Sequence, residues 1–341
     1  MRDAEYDREI QATTGLLRAV IPANLAEKFG RAAGISAQDF QKCHPADGGT
    51  ICAVDGSHSM AMESGSTALA LFRAAQTTFR NQERIRRSLT PLKFALIGTE
   101  LEDQTFPRLY QDCFGEVPET PLPNDERSRT ASILMETLEY WVTEQMAKEI
   151  DPGALLLRDG PLRVSHASHD RVLIRIAQTC MHRGLDLAGV SKQSTATWGG
   201  GHPLLLSVSV LARSMRIHPP WWISIDPLIL DHAPFSQWQH GQTYVVLLHS
   251  RARKPLKVEL PRDLSSEEVS RIMDRLAACS ADGRIPGYPY PLLDAHRSVV
   301  LTREVVEQVR TDLISGLIAG GIDRQTYEIL FGDVHDEFAR Y

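Results

Sequence analysis

The sequence lacks the cysteine pattern of a disulfide-stabilised protein or a zinc ribbon. Its 341 residues include five cysteines, which are scattered and contain no Cys-x-x-Cys pair. Disulfide frameworks use even sets of closely spaced cysteines, and zinc ribbons use paired Cys-x-x-Cys motifs. Because neither pattern is present, we expect reduced thiols and a cytoplasmic protein.

Long apolar runs are also missing. The longest nearly uncharged stretch is 203–212, whereas a membrane-spanning helix needs about 20 apolar residues. The opening segment, MRDAEYDREI, carries acids and lacks the apolar core of a secretory signal. With 43% hydrophobic and 23% charged residues, the composition is typical of a soluble globular protein that has no membrane partner.

Lysine is scarce, with seven residues among 37 lysines and arginines, and 43 aspartates and glutamates give a net charge of −6. A protein with this balance binds nucleic acid only where its basic residues are concentrated locally. One dense basic cluster, Arg80, Arg84, Arg86 and Arg87, lies in a run that looks helical. We predict that this cluster is a solvated helix face.

The sequence does contain alternating strand and helix patterns, which predict an α/β fold. Helices are expected at about 4–35, with an interruption at Pro22, at about 128–150 and 169–183, and in the C-terminal segment. Strands are expected at 50–54, 94–98, 155–159, 187–192, 221–225, 244–248 and 256–260, whereas 68–79 fits either type. The polar segment 106–129 holds four prolines and predicts a long surface excursion.

Two apolar runs end in the dipeptide Asp-Gly. The first is AVDGS at 53–57, and the second is LLLRDGPL at 155–162. Each predicts a buried strand that carries an aspartate, Asp55 or Asp159, to its carboxyl end and then turns at glycine. Two carboxylates at one end of a sheet would bind a hard divalent cation such as Mg²⁺ or Mn²⁺, and a phosphate substrate would complete its shell.

Further segments follow these motifs in a specific order. A long helix with glutamates lies between them, and GVSK (189–192), YVVLLHSRARKPLKVELP (244–261) and GYPYPLLDAH (287–296) come after them. On these residues the chain resembles the NurA nuclease family over about residues 45–300.

The resemblance implies an RNase H-like mixed sheet flanked by helices at 46–300, with helical extensions at 1–45 and 301–341. It implies an Mn²⁺-dependent deoxyribonuclease, with Mg²⁺ as the alternative ion, that acts as a 5′-to-3′ exonuclease and single-strand endonuclease in DNA end resection and repair. It also implies single- and double-stranded DNA as partners, a toroidal homodimer, and a hexameric HerA-type ATPase that pumps DNA into the nuclease.

The resemblance also assigns roles to particular residues. Asp55 and Asp159 match the two metal-binding aspartates of the family. His296 matches a late histidine that is a further metal ligand or a proton donor. Asp294, two residues earlier, is the alternative contact at this place.

The family places one more glutamate on the helix before the second aspartate, where Glu136 and Glu139 compete. With Leu138 at the centre of the apolar stripe, Glu139 lies about 100° round the helix and Glu136 about 160° round it. We therefore favour Glu139 as the metal ligand and expect Glu136 to point largely to solvent.

Three residues outside the carboxylate set are candidates for DNA contact. Lys192, in the matching GVSK segment, follows a predicted strand and would place a point charge on the scissile phosphate. Tyr288 and Tyr290 have proline neighbours and are candidates either for stacking on unpaired bases or for packing in the core.

Two other function classes fit parts of the pattern. A haloacid-type phosphatase also begins with a strand and an aspartate, but it needs a nucleophilic aspartate two residues earlier, where this chain has Ala53. A catalytically inactive DNA-binding or clamp subunit of the same fold is the second alternative, and it would bind DNA without Mn²⁺-dependent cleavage. His166 and His169 do not predict a structural zinc site, because they have neither cysteine partners nor an HExxH context.

Overall fold

The computed structural model describes residues 4–20, 24–46, 49–98, 104–123, 126–231 and 239–331. Its helices are α1 (Ala4–Val20), α2 (Leu25–Ala33), α3 (Thr105–Phe114), α4 (Arg127–Glu149), α5 (Asp170–His182), α6 (Leu204–Ser214), α7 (Ser266–Cys279), α8 (Tyr290–Val299), α9 (Arg303–Ala319) and α10 (Arg324–Phe331). Its strands are β1 (Gln41–Lys42), β2 (Thr50–Glu63), β3 (Thr67–Arg80), β4 (Glu83–Leu89), β5 (Lys93–Gly98), β6 (Leu155–Asp159), β7 (Asp186–Ser191), β8 (Thr197–Trp198), β9 (His202–Pro203), β10 (Trp221–Ser224), β11 (Gly241–Leu247) and β12 (Leu256–Pro261). The predicted α/β class is confirmed. No helix among the described residues is long and apolar enough to cross a membrane.

The described residues fall into two compact units. The hairpin unit comprises those within 49–159, 164–187 and 291–341, and the antiparallel unit comprises those within 1–48, 160–163 and 188–290. The predicted domain boundaries at residues 45 and 300 stay a prediction.

The hairpin unit is built on a mixed sheet with the strand order β6–β2–β3–β4, and β5 also pairs with β3. β2 runs parallel to β6 and antiparallel to β3. Small residues such as Ala53, Ala70 and Ala74 are fully buried in β2 and β3. Ala70 and Ala74 leave room for α4, which packs across these two strands, whereas Ala53 lies on the opposite face.

Helix α8 is anchored to β3 near both of its ends. Thr77 Oγ1 donates to the carbonyl of Pro291 at 2.9 Å. The Arg73 guanidinium donates to the carbonyls of Val299 and Val300, each at 3.0 Å. These hydrogen bonds fix the helix that carries His296.

The prediction that the first strand ends at Asp55 is wrong. β2 continues through Gly56 to Glu63, and its pairing with β3 is maintained from Thr50↔Arg80 to Glu63↔Ala68. The partner strand holds the Asp-Gly dipeptide extended, so no turn forms there. At the second motif the prediction is confirmed, since β6 ends at Asp159 and Gly160 adopts a φ of 106°.

Two further predictions for the hairpin unit are wrong. The basic cluster is not helical, because Arg80 ends β3 and the other three arginines lie in β4, which pairs with β3. Acidic partners hold it there, since Arg84 binds Asp294 and Arg86 binds Glu149. The segment 106–129 contains α3, whose buried Phe106 and Tyr110 anchor it in the core.

The antiparallel unit has the strand order β1–β10–β11–β12–β7. The predicted strands at 187–192, 221–225, 244–248 and 256–260 are confirmed as β7, β10, β11 and β12. Its core contains two aromatic pairs, Phe29 with Trp198 and Phe40 with Trp221, whose ring centroids lie 4.9 and 5.2 Å apart.

Candidate metal centre

Neighbouring strands place Asp55 and Asp159 on one face of the hairpin-unit sheet. β2 and β6 are parallel, and Val54 is in register with Arg158. The next residue of each strand, Asp55 or Asp159, therefore points to the same face, because side chains alternate along a strand. The sequence predicted this juxtaposition although it misplaced the end of β2.

His296 of α8 completes a group of three potential ligands. One ligand atom each from Asp55, Asp159 and His296 can be chosen so that all three lie within 4.8 Å of one another. This is the only such group of histidine, cysteine or acidic residues found in the part of the chain that the structure describes. His296 Nδ1 lies 2.8 Å from Asp55 Oδ2, and Asp55 Oδ1 accepts a hydrogen bond from the Gly56 N–H at 2.9 Å.

The electrostatics and exposure of this group suit a divalent cation. Two carboxylates close together repel each other, and a bound cation removes that repulsion. The Asp55 side chain is 5% exposed and that of His296 is 45% exposed, so solvent reaches the group from the side of His296. Carboxylate oxygens suit Mg²⁺ and Mn²⁺, whereas an imidazole nitrogen favours a transition metal. The donor set therefore fits a divalent cation.

Glu139, the favoured helix ligand, is placed differently. Its side chain is 4% exposed, and Oε2 accepts a hydrogen bond from Arg158 Nη2 at 3.1 Å. Arg158 and Gly56 point to the sheet face opposite the two aspartates, so Glu139 contacts the sheet from that side. Burial raises the pKa of Glu139 to about 7, although the Arg158 charge acts to lower it. Glu139 therefore lies against Gly56, the residue that follows Asp55, and outside the three-ligand group.

Gly56 is required by this approach of Glu139. A Cβ atom on Gly56 would lie 2.7 Å from Oε1 and 2.8 Å from Cγ of Glu139, and 2.8 Å from Cγ of Met135. Glycine therefore stands next to Asp55 because the helix side chains occupy the space of a side chain. The conformational freedom of the glycine is not used.

Glu136 does not point to solvent as expected. Its carboxylate accepts a hydrogen bond from the Ser165 hydroxyl, and its side chain is only 18% exposed. Helix α4 is buried on most sides, with Thr137, Glu139, Tyr140 and Glu144 all inside. An apolar stripe therefore does not define a single buried face, and the 160° argument fails for this helix.

His169, one of the two histidines considered for a zinc site, is buried beside helix α4. Its Nε2 lies 2.9 Å from Thr137 Oγ1, and its Nδ1 is 4.0 Å from Glu136 Oε2. Burial holds the pKa of His169 well below 6.5, and the neighbouring His166 and Arg158 act in the same direction. His169 is therefore a neutral core residue.

The remaining candidates lie outside the three-ligand group. Asp294 is engaged by Arg84, whose Nη1 lies 3.0 Å from Oδ1. Lys192 belongs to the antiparallel unit, where its Nζ is 5.8 Å from the Tyr288 ring centroid. Tyr288 is buried, which favours packing, and Tyr290 lies beneath the Arg284 guanidinium at 4.6 Å.

The comparison with known families decides the relationship. The profile of the NurA domain matches residues 49–301. The chain belongs to the NurA family. The matched range includes Asp55, Glu139, Asp159 and His296 of this NurA chain. No curated protein gives a significant match.

Solved NurA structures share the fold. The NurA nuclease from Sulfolobus solfataricus is 15% identical with a TM-score of 0.58, and the match covers 95% of this chain and 99% of that one. A NurA structure bound to dAMP and manganese is 10% identical with a TM-score of 0.57, covering 94% of this chain and 99% of that one. The predicted fold class, a mixed sheet flanked by helices, is therefore confirmed for this NurA chain.

Proposed function

We propose that this NurA chain is a metal-dependent DNA nuclease that hydrolyses phosphodiester bonds. The observation that carries the proposal is the convergence of Asp55, Asp159 and His296 on one face of the hairpin-unit sheet, where His296 is 45% exposed. Two similar structures support it: that of the Sulfolobus solfataricus NurA nuclease, and a NurA structure bound to dAMP and manganese.

Asp55, Asp159 and His296 would hold the ion. The family resemblance adds Glu139 as a further ligand, and its carboxylate would have to reach the ion past Gly56, which has no side chain, from the opposite face of the sheet. A divalent ion in such a site polarises the phosphate and lowers the pKa of bound water. The hydrogen bond between His296 Nδ1 and Asp55 Oδ2 restrains these two side chains relative to each other. The exposed part of the His296 ring faces solvent and serves as a metal ligand or as a proton donor to the leaving oxygen.

The finer features of the function rest on the family resemblance. We propose Mn²⁺ as the ion and Mg²⁺ as its alternative, and Lys192 as the point charge on the scissile phosphate. We also propose 5′-to-3′ exonuclease and single-strand endonuclease action on DNA in end resection, a homodimer, a HerA-type ATPase partner and a cytoplasmic location.

An inactive DNA-binding clamp of the same fold is the second candidate. It would retain DNA contacts but would not need the acidic positions. Asp55, Asp159 and Glu139 are all acidic here, and the first two lie within ligand distance of each other. This favours the active enzyme.

Cleavage of end-labelled single-stranded DNA tests the proposal. We expect cleavage with Mn²⁺, none with EDTA, and none in Asp55→Asn, which keeps the side-chain shape but loses the charge. Asp112→Asn, at an exposed position of α3, is the matched control and should cleave like the wild type. Cleavage by Asp55→Asn at the wild-type rate would contradict the site, and DNA binding without cleavage would identify the clamp.

A further inference from the structure

Arg158 and Glu139 form an ion pair inside the hairpin unit. Both side chains are 4% exposed, and Arg158 Nη2 lies 3.1 Å from Glu139 Oε2. The guanidinium carbon also lies 4.5 Å from the centroid of the Tyr140 ring. Buried ion pairs often add less stability than apolar residues of similar volume. Stability alone is therefore a poor explanation for this pair.

The pair contacts the strand positions next to both metal-binding aspartates. Arg158 immediately precedes Asp159 in β6. Glu139 lies over Gly56, which follows Asp55 in β2, and its Oε1 occupies the place of a side chain there. The ion pair thus connects the two ligand-bearing strands from the sheet face opposite the ligands.

The two carboxylate oxygens of Glu139 have different surroundings. Oε2 is directed at Arg158, while Oε1 is directed at Gly56 beside Asp55. A glutamate side chain has three rotatable bonds, so its carboxylate needs a fixed partner to keep one orientation. Arg158 is that partner, because its Nη2 donates a hydrogen bond to Oε2 and its guanidinium is itself held against the Tyr140 ring.

We propose that Arg158 is a positioning residue for metal binding, which holds Glu139 by Oε2 against Gly56 and thereby fixes β2 and β6 where they carry Asp55 and Asp159. The inference rests on the proposed function, since it concerns the divalent ion of that site. Arg158 itself does not contact the ion. It acts through Glu139 and through the strand position next to Asp159.

The test is a titration of metal-free protein with Mn²⁺, in which electron paramagnetic resonance measures the free ion. Partners that orient metal ligands typically contribute about 10–100-fold to metal affinity. We expect Arg158→Met to raise the Kd for Mn²⁺ by a factor in this range. Arg158→Lys keeps the charge but not the planar guanidinium, and it should restore part of the affinity.

Arg175 on α5 offers a control ion pair to the same helix, α4. Its Nε binds the buried carboxylate of Glu144, which lies on α4 like Glu139 but away from the three-ligand group. Arg175→Met removes this ion pair together with the more exposed pair between Arg175 and Glu116. We expect it to lower the melting temperature and to leave the Kd for Mn²⁺ unchanged, so that general loss of stability is separated from positioning.

Each outcome has a distinct meaning. A folded Arg158→Met variant with the wild-type Kd would overturn the positioning role and leave the proposed function intact. Wild-type protein that binds no Mn²⁺ would contradict the proposed function itself. If Arg158→Met does not fold, Arg158→Gln carries the same comparison, and a wild-type Kd in that variant would again overturn the inference.

Discussion

The close approach of α4 to Gly56 makes the effect of one added methyl group predictable. In Gly56→Ala the new Cβ would lie 2.7 Å from Glu139 Oε1 and 2.8 Å from Met135 Cγ, well inside ordinary van der Waals contact at 3.4 Å. Glu139 is held by Arg158 and is buried, so its carboxylate has little freedom to move away. The variant must therefore push α4 from β2 or break the ion pair.

The cost follows from two opposing effects. Overpacking of a filled core costs roughly 1–3 kcal/mol. Alanine also removes some freedom from the unfolded chain, which offsets roughly 0.4–1 kcal/mol. The difference between these ranges is roughly 0–2.6 kcal/mol. Because the new Cβ would meet three atoms at less than 3.0 Å, we expect the upper part, about 1–2.6 kcal/mol. For a unit of this size each kcal/mol lowers the melting temperature by roughly 2–4 °C.

Thermal unfolding in EDTA, followed by circular dichroism, measures this loss without any metal. Gly316→Ala in α9 is the matched control, because a Cβ there meets nothing within 4 Å and its φ is not positive. In a helix interior that change should stabilise by about 1 kcal/mol. A Gly56→Ala variant that melts at or above the wild-type temperature would refute the steric account of this site.

Three further predictions concern charge and metal. Asp159→Asn removes one of two adjacent carboxylates, so in EDTA the variant should melt no lower than the wild type. Mn²⁺ should no longer raise the melting temperature of the variant. A rise as large as that of the wild type would argue against Asp159 as a ligand. In wild-type protein, Mn²⁺ at about 100 times its Kd should add about 2.7 kcal/mol of stability, reversibly with EDTA. The folded pKa of Glu139, about 7, lies above the ordinary value of 4.5, so the folded chain binds this proton more tightly. The free energy of unfolding should accordingly fall as the pH rises from about 4.5 through 7. Urea titrations of Glu139→Gln should show a weaker dependence of that free energy on pH. The same pH dependence in the variant and the wild type would contradict the burial argument.

The sequence predicted those elements whose pattern is local. The apolar run before Asp159 and the glycine after it predicted β6 and its turn, and the periodic residues of 128–150 predicted α4. The resemblance to the NurA family, which rests on the order of the motifs, then assigned Asp55, Asp159 and His296 to one expected site. For the two aspartates, a local pattern was sufficient to predict the sheet face, because side chains alternate between the two faces along a strand.

The features that were missed depend on partners distant in the sequence. Asp55 remains inside a strand because β3 pairs across it, and no local pattern reports that pairing. Arg84 lies in a strand because β4 pairs with β3, and the acidic partner of its side chain, Asp294, is 210 residues away. Arg158 did give a local signal, as a charge within the apolar run LLLRD, and a charge there indicates a buried partner.

The central claim is that Asp55, Asp159 and His296 bind the ion on which cleavage depends. Crystals of the protein grown with Mn²⁺, measured for anomalous scattering at the manganese edge, test it most directly. The account predicts a peak bonded to oxygens of both aspartates and to a nitrogen of His296. A peak coordinated elsewhere, with these three side chains left outside its shell, would contradict it.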